Sequence, residues 1–66
     1  MEDKIDMFFN YTGFNTGKAV LINFKDVSTI SEHKDYVMFD MKNGKNFVVT
    51  ETINDVIENL GKWNRY

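Results

Sequence analysis

The chain has 66 residues, no cysteine, no proline, one histidine and a formal net charge of −2. This length allows one small domain, and the lack of cysteine excludes disulfides, cysteine-based zinc sites and thiol chemistry within it. No apolar run reaches the roughly 18 residues of a membrane span, and the opening Met-Glu-Asp-Lys has the wrong charge for a signal peptide. The sequence therefore predicts one cytoplasmic globular domain over residues 1–66, with no membrane contact.

The small size of the chain limits how much surface folding can bury. A domain of this length buries only roughly 60% of the surface that its unfolded form exposes. The hydrophobic gain then barely exceeds the entropic cost of ordering the chain, and no disulfide can add to it. We therefore expect a homo-oligomer, or a bound partner that adds buried area.

The N-terminal aromatic segment and turn, residues 1–17, contain the first ambiguous element. A helix would place Ile5, Phe8 and Phe9 on one face, whereas a strand would place Met7, Phe9 and Tyr11 on one face. The spacing does not decide between helix and strand for residues 1–11. The Gly- and Asn-containing stretch 12–17 predicts a turn.

Residues 18–50 read as an antiparallel β-meander. Lys18–Phe24 is rich in branched apolar residues and predicts a strand, Lys25-Asp26 a polar break, and Val27–His33 a second strand. The two apolar residues of that second strand are three apart, which misses the period of two. This spacing predicts a β-bulge near Ser28-Thr29.

The segments Tyr36–Lys42 and Lys45–Thr50 flank Asn43-Gly44, which predicts a hairpin with a two-residue type I′ turn. That turn sets the pairs Met41–Asn46, Asp40–Phe47, Phe39–Val48, Met38–Val49 and Val37–Thr50. Both hairpin faces are then largely apolar, so both need cover. The C-terminal helix would cover one face, and the N-terminal segment or a second copy the other.

The last element, residues 52–63, is a predicted helix. Its apolar stripe has the spacing i, i+3, i+4, i+7 and consists of Ile53, Val56, Ile57 and Leu60. Thr52 and Asp55 have the spacing of a capping box, and Gly61 is expected to end the helix in a left-handed cap. The predicted fold is α+β: an antiparallel β-meander of three to four strands with this helix packed on one face.

Catalytic candidates are few. Ser28, Ser31, His33 and Asp35 lie within eight residues, but side chains on one strand run parallel rather than converging as a triad requires. Asp40 lies midway along the apolar hairpin, where a solvent-facing carboxylate that blocks edge aggregation is the usual role. With one histidine and no calcium-loop motif, no metal or cofactor site is expected. The sequence predicts a protein that is not an enzyme.

Aromatic residues are the main candidates for a binding surface. Four of the ten aromatics fall within residues 8–14, and the candidate set is Phe8, Phe9, Tyr11, Phe14 and Trp63. Aromatic platforms with flanking lysines bind single-stranded nucleic acid, but the pI of about 5.1 and the lack of a basic cluster disfavour that partner. Aromatic side chains are also typical of domain cores and of protein interfaces.

The order of elements from Val20 onward resembles the FlbD-type small proteins of bacterial flagellar operons and similar short phage and mobile-element modules. The resemblance rests on a hairpin, Asn43-Gly44-Lys45, the strand Phe47-Val48-Val49, the cap Glu51-Thr52 and a short helix. It covers residues 20–60. It implies a small non-enzymatic protein and transfers no catalytic residue.

These observations together predict a small acidic protein that binds another protein. An inhibitor or adaptor of the kind that phages and mobile elements encode is the leading hypothesis. A regulator or accessory protein of the flagellar-operon type is the first alternative. A binder of single-stranded nucleic acid or of nucleotides is the second.

Overall fold

The computed structural model describes residues 6–65 and confirms the predicted α+β class. Its elements are β1 (Phe8–Thr12), β2 (Ala19–Asn23), β3 (Val27–Glu32), β4 (Val37–Met41), β5 (Asn46–Val49) and the helix α1 (Ile53–Asn64). β1 and β2 form a two-stranded antiparallel sheet, and β3, β4 and β5 form an antiparallel meander.

The ambiguous N-terminal segment forms a strand from Phe8 to Thr12. Phe9 faces Ile22 and Tyr11 faces Val20 across the β1–β2 pair. Alternation along a strand places these four side chains on the inner face of the hairpin, where burial stabilises them. Ile5, which figured in the helical alternative, lies outside the described residues.

The connection from β2 to β3 contains the predicted bulge and, before it, a short helical turn that the sequence did not predict. A 3₁₀ turn, Phe24–Asp26, replaces the expected polar break. The register between β3 and β4 shifts between Val27 and Thr29, which confirms the predicted bulge. The bulge allows both Val27 and Ile30 to pack against the core although their spacing is three.

The predicted register of the β4–β5 hairpin is wrong by one residue. The observed pairs are Val37–Val49, Met38–Val48, Phe39–Phe47 and Asp40–Asn46. Met41 accepts a hydrogen bond from Gly44 N and donates one to Lys45 O, so the loop is Lys42-Asn43-Gly44. Only glycines have positive φ among residues 6–65, and Gly44 has +90°. This is a type I turn followed by a glycine bulge, not a type I′ turn.

The register shift also corrects the prediction that both hairpin faces are largely apolar. Phe47 and Val49 lie on the same face as Phe39 and Val37, so the inner face gains apolar side chains. On the outer face, Met38 and Val48 lie next to polar side chains. Across the β3–β4 pair, Ser31 lies beside Met38 and Thr29 lies beside Asp40. Both Met38 and Val48 are half-buried.

Helix α1 has the predicted start but not the predicted end. The Thr52 hydroxyl accepts a hydrogen bond from Asp55 N, and the Asp55 carboxylate accepts one from Thr52 N, which confirms the capping box. Gly61 does not end the helix, which continues to Asn64. The extra turn places the half-buried Trp63 against the core, and this burial outweighs the roughly 1 kcal/mol cost of an internal glycine.

The core lies between the β1–β2 hairpin, the meander and α1. Its buried side chains are Tyr11, Ile22, Phe24, Val37, Phe39, Val49 and Val56. The two sheets are linked by a bridge between Gly13 and Val49 and by the hydrogen bonds Phe14 N to Val48 O and Thr50 N to Thr12 O. Because β1 and β5 are joined in this way, the hairpin closes over the inner face of the meander.

Candidate functional site

Three of the five aromatic residues that the sequence singled out belong to the core or pack on it. The Tyr11 side chain is 1% exposed. Phe9 and Trp63 are half-buried, with ring centroids 4.7 Å and 6.1 Å from that of Phe24. The Phe24 ring also packs against Tyr11 and Phe39. These side chains therefore have structural contacts that account for their presence.

The remaining two aromatic candidates are exposed but are not adjacent. Phe8 is 59% exposed at the start of β1, and Phe14 is 40% exposed beyond its end. The length of β1 alone separates their backbones by more than about 13 Å. Phe14 packs instead on Tyr36, with ring centroids 5.3 Å apart. The aromatic cluster that the sequence predicted is thus not a single surface.

A different pair forms an exposed apolar surface. Leu21 is 63% exposed. Because Phe8 pairs with Asn23 and Leu21 precedes Asn23 by two residues, Phe8 and Leu21 lie diagonally on the same outward side of the hairpin. Such diagonal neighbours are about 7–8 Å apart, within reach of large side chains. We call this surface, formed by Phe8, Asn10, Ala19 and Leu21, the outer hairpin face.

Leu21 was absent from the candidates drawn from the sequence, although the sequence contains a pattern that predicts its exposure. The strand reads Ala19-Val20-Leu21-Ile22, without the alternation of apolar and polar residues expected when one face is solvated. In a two-stranded hairpin whose inner face takes Val20 and Ile22, the apolar residue between them has to point outward. An unbroken apolar run in such a hairpin therefore indicates an exposed apolar side chain.

The outer hairpin face borders an unprotected strand edge. Among residues 6–65, β2 pairs only with β1, and β3 pairs only with β4. β3 has a bulge and mostly polar side chains, which are features that prevent edge-to-edge association. β2 has no bulge and no charged side chain. The edge of β2 is thus the better template for pairing with another strand.

Ser31 and His33 lie closer together than the sequence analysis expected. Ser31 Oγ is 3.1 Å from His33 Nε2, and the His33 ring stacks on Tyr36 at 4.7 Å. His33 lies just beyond β3, where the chain turns, so its ring folds back toward Ser31. No hydrogen bond joins Asp35 to His33 within the described part of the chain, so the three groups do not form a triad.

The described residues contain neither a metal-binding cluster nor a membrane-spanning helix. Nowhere between Asp6 and Arg65 do three His, Cys, Asp or Glu side chains come together as a metal site would require. Neither helical element within these residues has the length and apolar character needed to cross a membrane.

Comparison with known proteins finds no relative of this chain. No family model, curated protein or solved structure matches this chain. The resemblance to the FlbD-type proteins therefore stays an expectation from the sequence. The outer hairpin face and the β2 edge have to be interpreted from their own geometry.

The contact between β1 and α1 predicts that the free energy of unfolding depends on pH. The buried Tyr11 hydroxyl accepts a hydrogen bond of 2.9 Å from Asn59 Nδ2. Burial raises the pKa of Tyr11 above its ordinary value of 10.0, the nearby Glu51 and Asp55 carboxylates add to this rise, and the Asn59 hydrogen bond opposes it. The unfolded chain therefore loses this proton at a lower pH than the folded chain. We expect the free energy of unfolding to fall as the pH rises above about 10, with the full contribution present below it.

Urea unfolding at pH values from about 7 to 11 tests this expectation. Tyr11→Phe should flatten the alkaline decrease in stability while costing about 1 kcal/mol at neutral pH through the lost hydrogen bond. Tyr36→Phe is the matched control, because it keeps Tyr11 and should keep its alkaline decrease. Equal alkaline slopes in wild type and Tyr11→Phe would show that Tyr11 is not the group responsible.

Proposed function

We propose that this protein is a non-enzymatic protein-binding protein of the inhibitor or adaptor type. The observation that carries the proposal is the outer hairpin face, where Phe8 and Leu21 are 59% and 63% exposed as diagonal neighbours on the same side of the hairpin. Adjacent exposed apolar side chains at an unpaired strand edge are typical of an interaction site rather than of a solvated surface.

The proposed partner supplies an extended segment that pairs with β2. Strand addition obtains its affinity from main-chain hydrogen bonds and its specificity from alternate side chains. On β2 the outward side chains are Ala19, Leu21 and Asn23, none of them charged. The matching segment is therefore expected to be uncharged and to place an apolar side chain beside Leu21 and Phe8.

Self-association through the same edge is part of this proposal. An antiparallel pair of two β2 strands centred on Leu21 would place Val20 opposite Ile22 of the second copy, with no like charges facing each other within the strand. This pairing gives a physical basis for the homo-oligomer expected from the small size of the chain. A protein partner would then replace the second copy at the edge.

The proposal is tested by capturing the partner and titrating it against a double variant. A photoreactive side chain at the exposed Ala19 would crosslink the partner in a bacterial lysate, and the purified partner would then be titrated. Phe8→Ala/Leu21→Ala is expected to weaken binding by about 30-fold or more, the effect of losing an interface hot spot of 2 kcal/mol. Ile57→Ala, at a side chain that is 57% exposed on α1, is the matched control.

Two measurements decide the result. Circular dichroism should show that both variants stay folded, because all three side chains are mostly exposed. Light scattering at micromolar concentration should give a mass above 7.8 kDa for the wild type and a smaller mass for the double variant. Unchanged partner binding by the double variant, or capture that nuclease treatment abolishes, would contradict the proposal.

A further inference from the structure

A second surface, formed by residues other than those of the outer hairpin face, has the features of a small-molecule site. A groove of about 270 Å³ lies between the 3₁₀ turn, β3 and the C-terminal part of α1. Its apolar lining residues are Phe24, Val27, Ile30, Leu60 and Trp63, and its polar lining residues are Lys25, Ser28 and Lys42. We refer to it as the lysine-edged groove.

The apolar lining belongs to the core of the domain or packs directly against it. Phe24 is 3% exposed, and Val27, Ile30, Leu60 and Trp63 pack against the buried core. The Trp63 ring meets Phe24 edge-on at 6.1 Å. A ligand would therefore meet a preformed apolar wall, which lowers the entropic cost of binding.

The two lysines give the groove a charge preference. Both lysines are exposed residues, so their side chains reach solvent at the rim of the groove. Lys25 Nζ lies 4.0 Å from Asp6 Oδ1, a long and exposed contact, whereas Lys42 has no carboxylate within ion-pair distance among residues 6–65. The protein as a whole has a net charge of −2, so this pair of cations is a local departure from an acidic chain.

We propose that the lysine-edged groove binds a small amphipathic carboxylate, with an aliphatic chain on the apolar wall and its carboxylate at Lys25 and Lys42. The volume is slightly below the roughly 300–1,000 Å³ of drug-sized ligand pockets. Because a group the size of water occupies roughly 30 Å³, the groove has room for a chain of about eight carbons. A nucleotide base would need several hydrogen-bond partners, whereas only Ser28 among the lining residues has a hydroxyl group and none of them has an amide or carboxylate side chain.

Octanoate, used well below its micelle concentration, is the probe, and Trp63 is the reporter. Trp63 is the only tryptophan of the chain and forms part of the wall, so its fluorescence should change and saturate on binding. Octylamine and 1-octanol have the same chain with a positive or no charge. Both are expected to bind more weakly than octanoate, because they gain nothing from the lysines.

Substitutions in the lining of the groove test which side chains contribute to octanoate binding. Each of Lys25→Ala and Lys42→Ala should weaken octanoate binding by about 2- to 5-fold, the usual contribution of one exposed charge pair, and the double variant should combine the two losses. Lys45→Ala is the matched control, because Lys45 lies in the same hairpin as Lys42 and does not line the groove. Ser28→Phe, which places a ring in the groove without adding a tryptophan, should abolish the fluorescence change.

Several outcomes would overturn the proposal. These are equal binding of octanoate and octylamine, an unchanged affinity in the double lysine variant, or retention of binding by Ser28→Phe. Tighter saturation by adenosine monophosphate than by octanoate would assign the groove to a nucleotide instead. Since none of these variants changes Phe8 or Leu21, failure here leaves the proposed protein-binding function intact.

Discussion

Replacing Phe39 by alanine is expected to remove a large part of the stability of the domain. Phe39 is 0% exposed, and its ring packs against Tyr11 at 5.1 Å and against Phe24 at 6.0 Å. Removing a buried phenylalanine costs about 3–5 kcal/mol. A domain of this length has a total stability of only about 3–10 kcal/mol. Urea titration followed by circular dichroism would measure the loss.

Phe47 provides the matched control for this prediction. It lies directly opposite Phe39 across the β4–β5 pair but is 38% exposed. Phe47→Ala should therefore cost clearly less than Phe39→Ala, because much of its ring already contacts water. If the two variants lost equal stability, the assignment of Phe39 to the buried core and of Phe47 to its exposed edge would be wrong.

Replacing Gly44 by valine should cost about 1–3 kcal/mol, the range for a strained backbone conformation. Gly44 has a φ of +90°, a conformation that β-branched residues strongly disfavour. A Cβ built at this position meets nothing within 4 Å, so the cost comes from the backbone and not from a steric clash. The shift of the urea midpoint relative to the wild type gives the magnitude.

Gly61→Ala separates this effect from a general effect of losing a glycine. Gly61 lies inside α1, has no positive φ, and also has open space around its Cβ position. Alanine in a helix interior is favoured over glycine by about 0.8–1.0 kcal/mol, so this variant should be more stable than the wild type. A gain at Gly44 or a loss at Gly61 would contradict the observed hairpin loop or the observed helix end, respectively.

The helix end illustrates how a local signal is overridden by packing. Gly61 has the position of a C-terminal cap in the sequence, and local propensity favours a stop there. The helix continues because the following turn brings Trp63 against Phe24. That contact joins two elements that are far apart in sequence, so no spacing within residues 52–63 predicts it.

The location of the candidate site also depends on contacts between segments that are far apart in sequence. Five aromatic residues were candidates, and their chemistry did not distinguish core from surface. Only the pairing of β1 with β2 places Tyr11 inward and Phe8 outward, and only the same pairing sets Leu21 beside Phe8. The composition predicted a protein-binding surface, whereas the location proposed for it depends on which strand faces which.

The sequence alone determined the features whose physical cause lies within a few residues. These are the α+β class, the site of the β4–β5 hairpin, the bulge after Val27 and the capping box at Thr52. The tertiary structure decided the strand at Phe8–Thr12, the hairpin register, the end of α1 and the exposed residues. These depend on the burial of side chains from distant segments, such as Tyr11 against Phe39, and the free energy of such contacts exceeds the local preferences that a sequence displays.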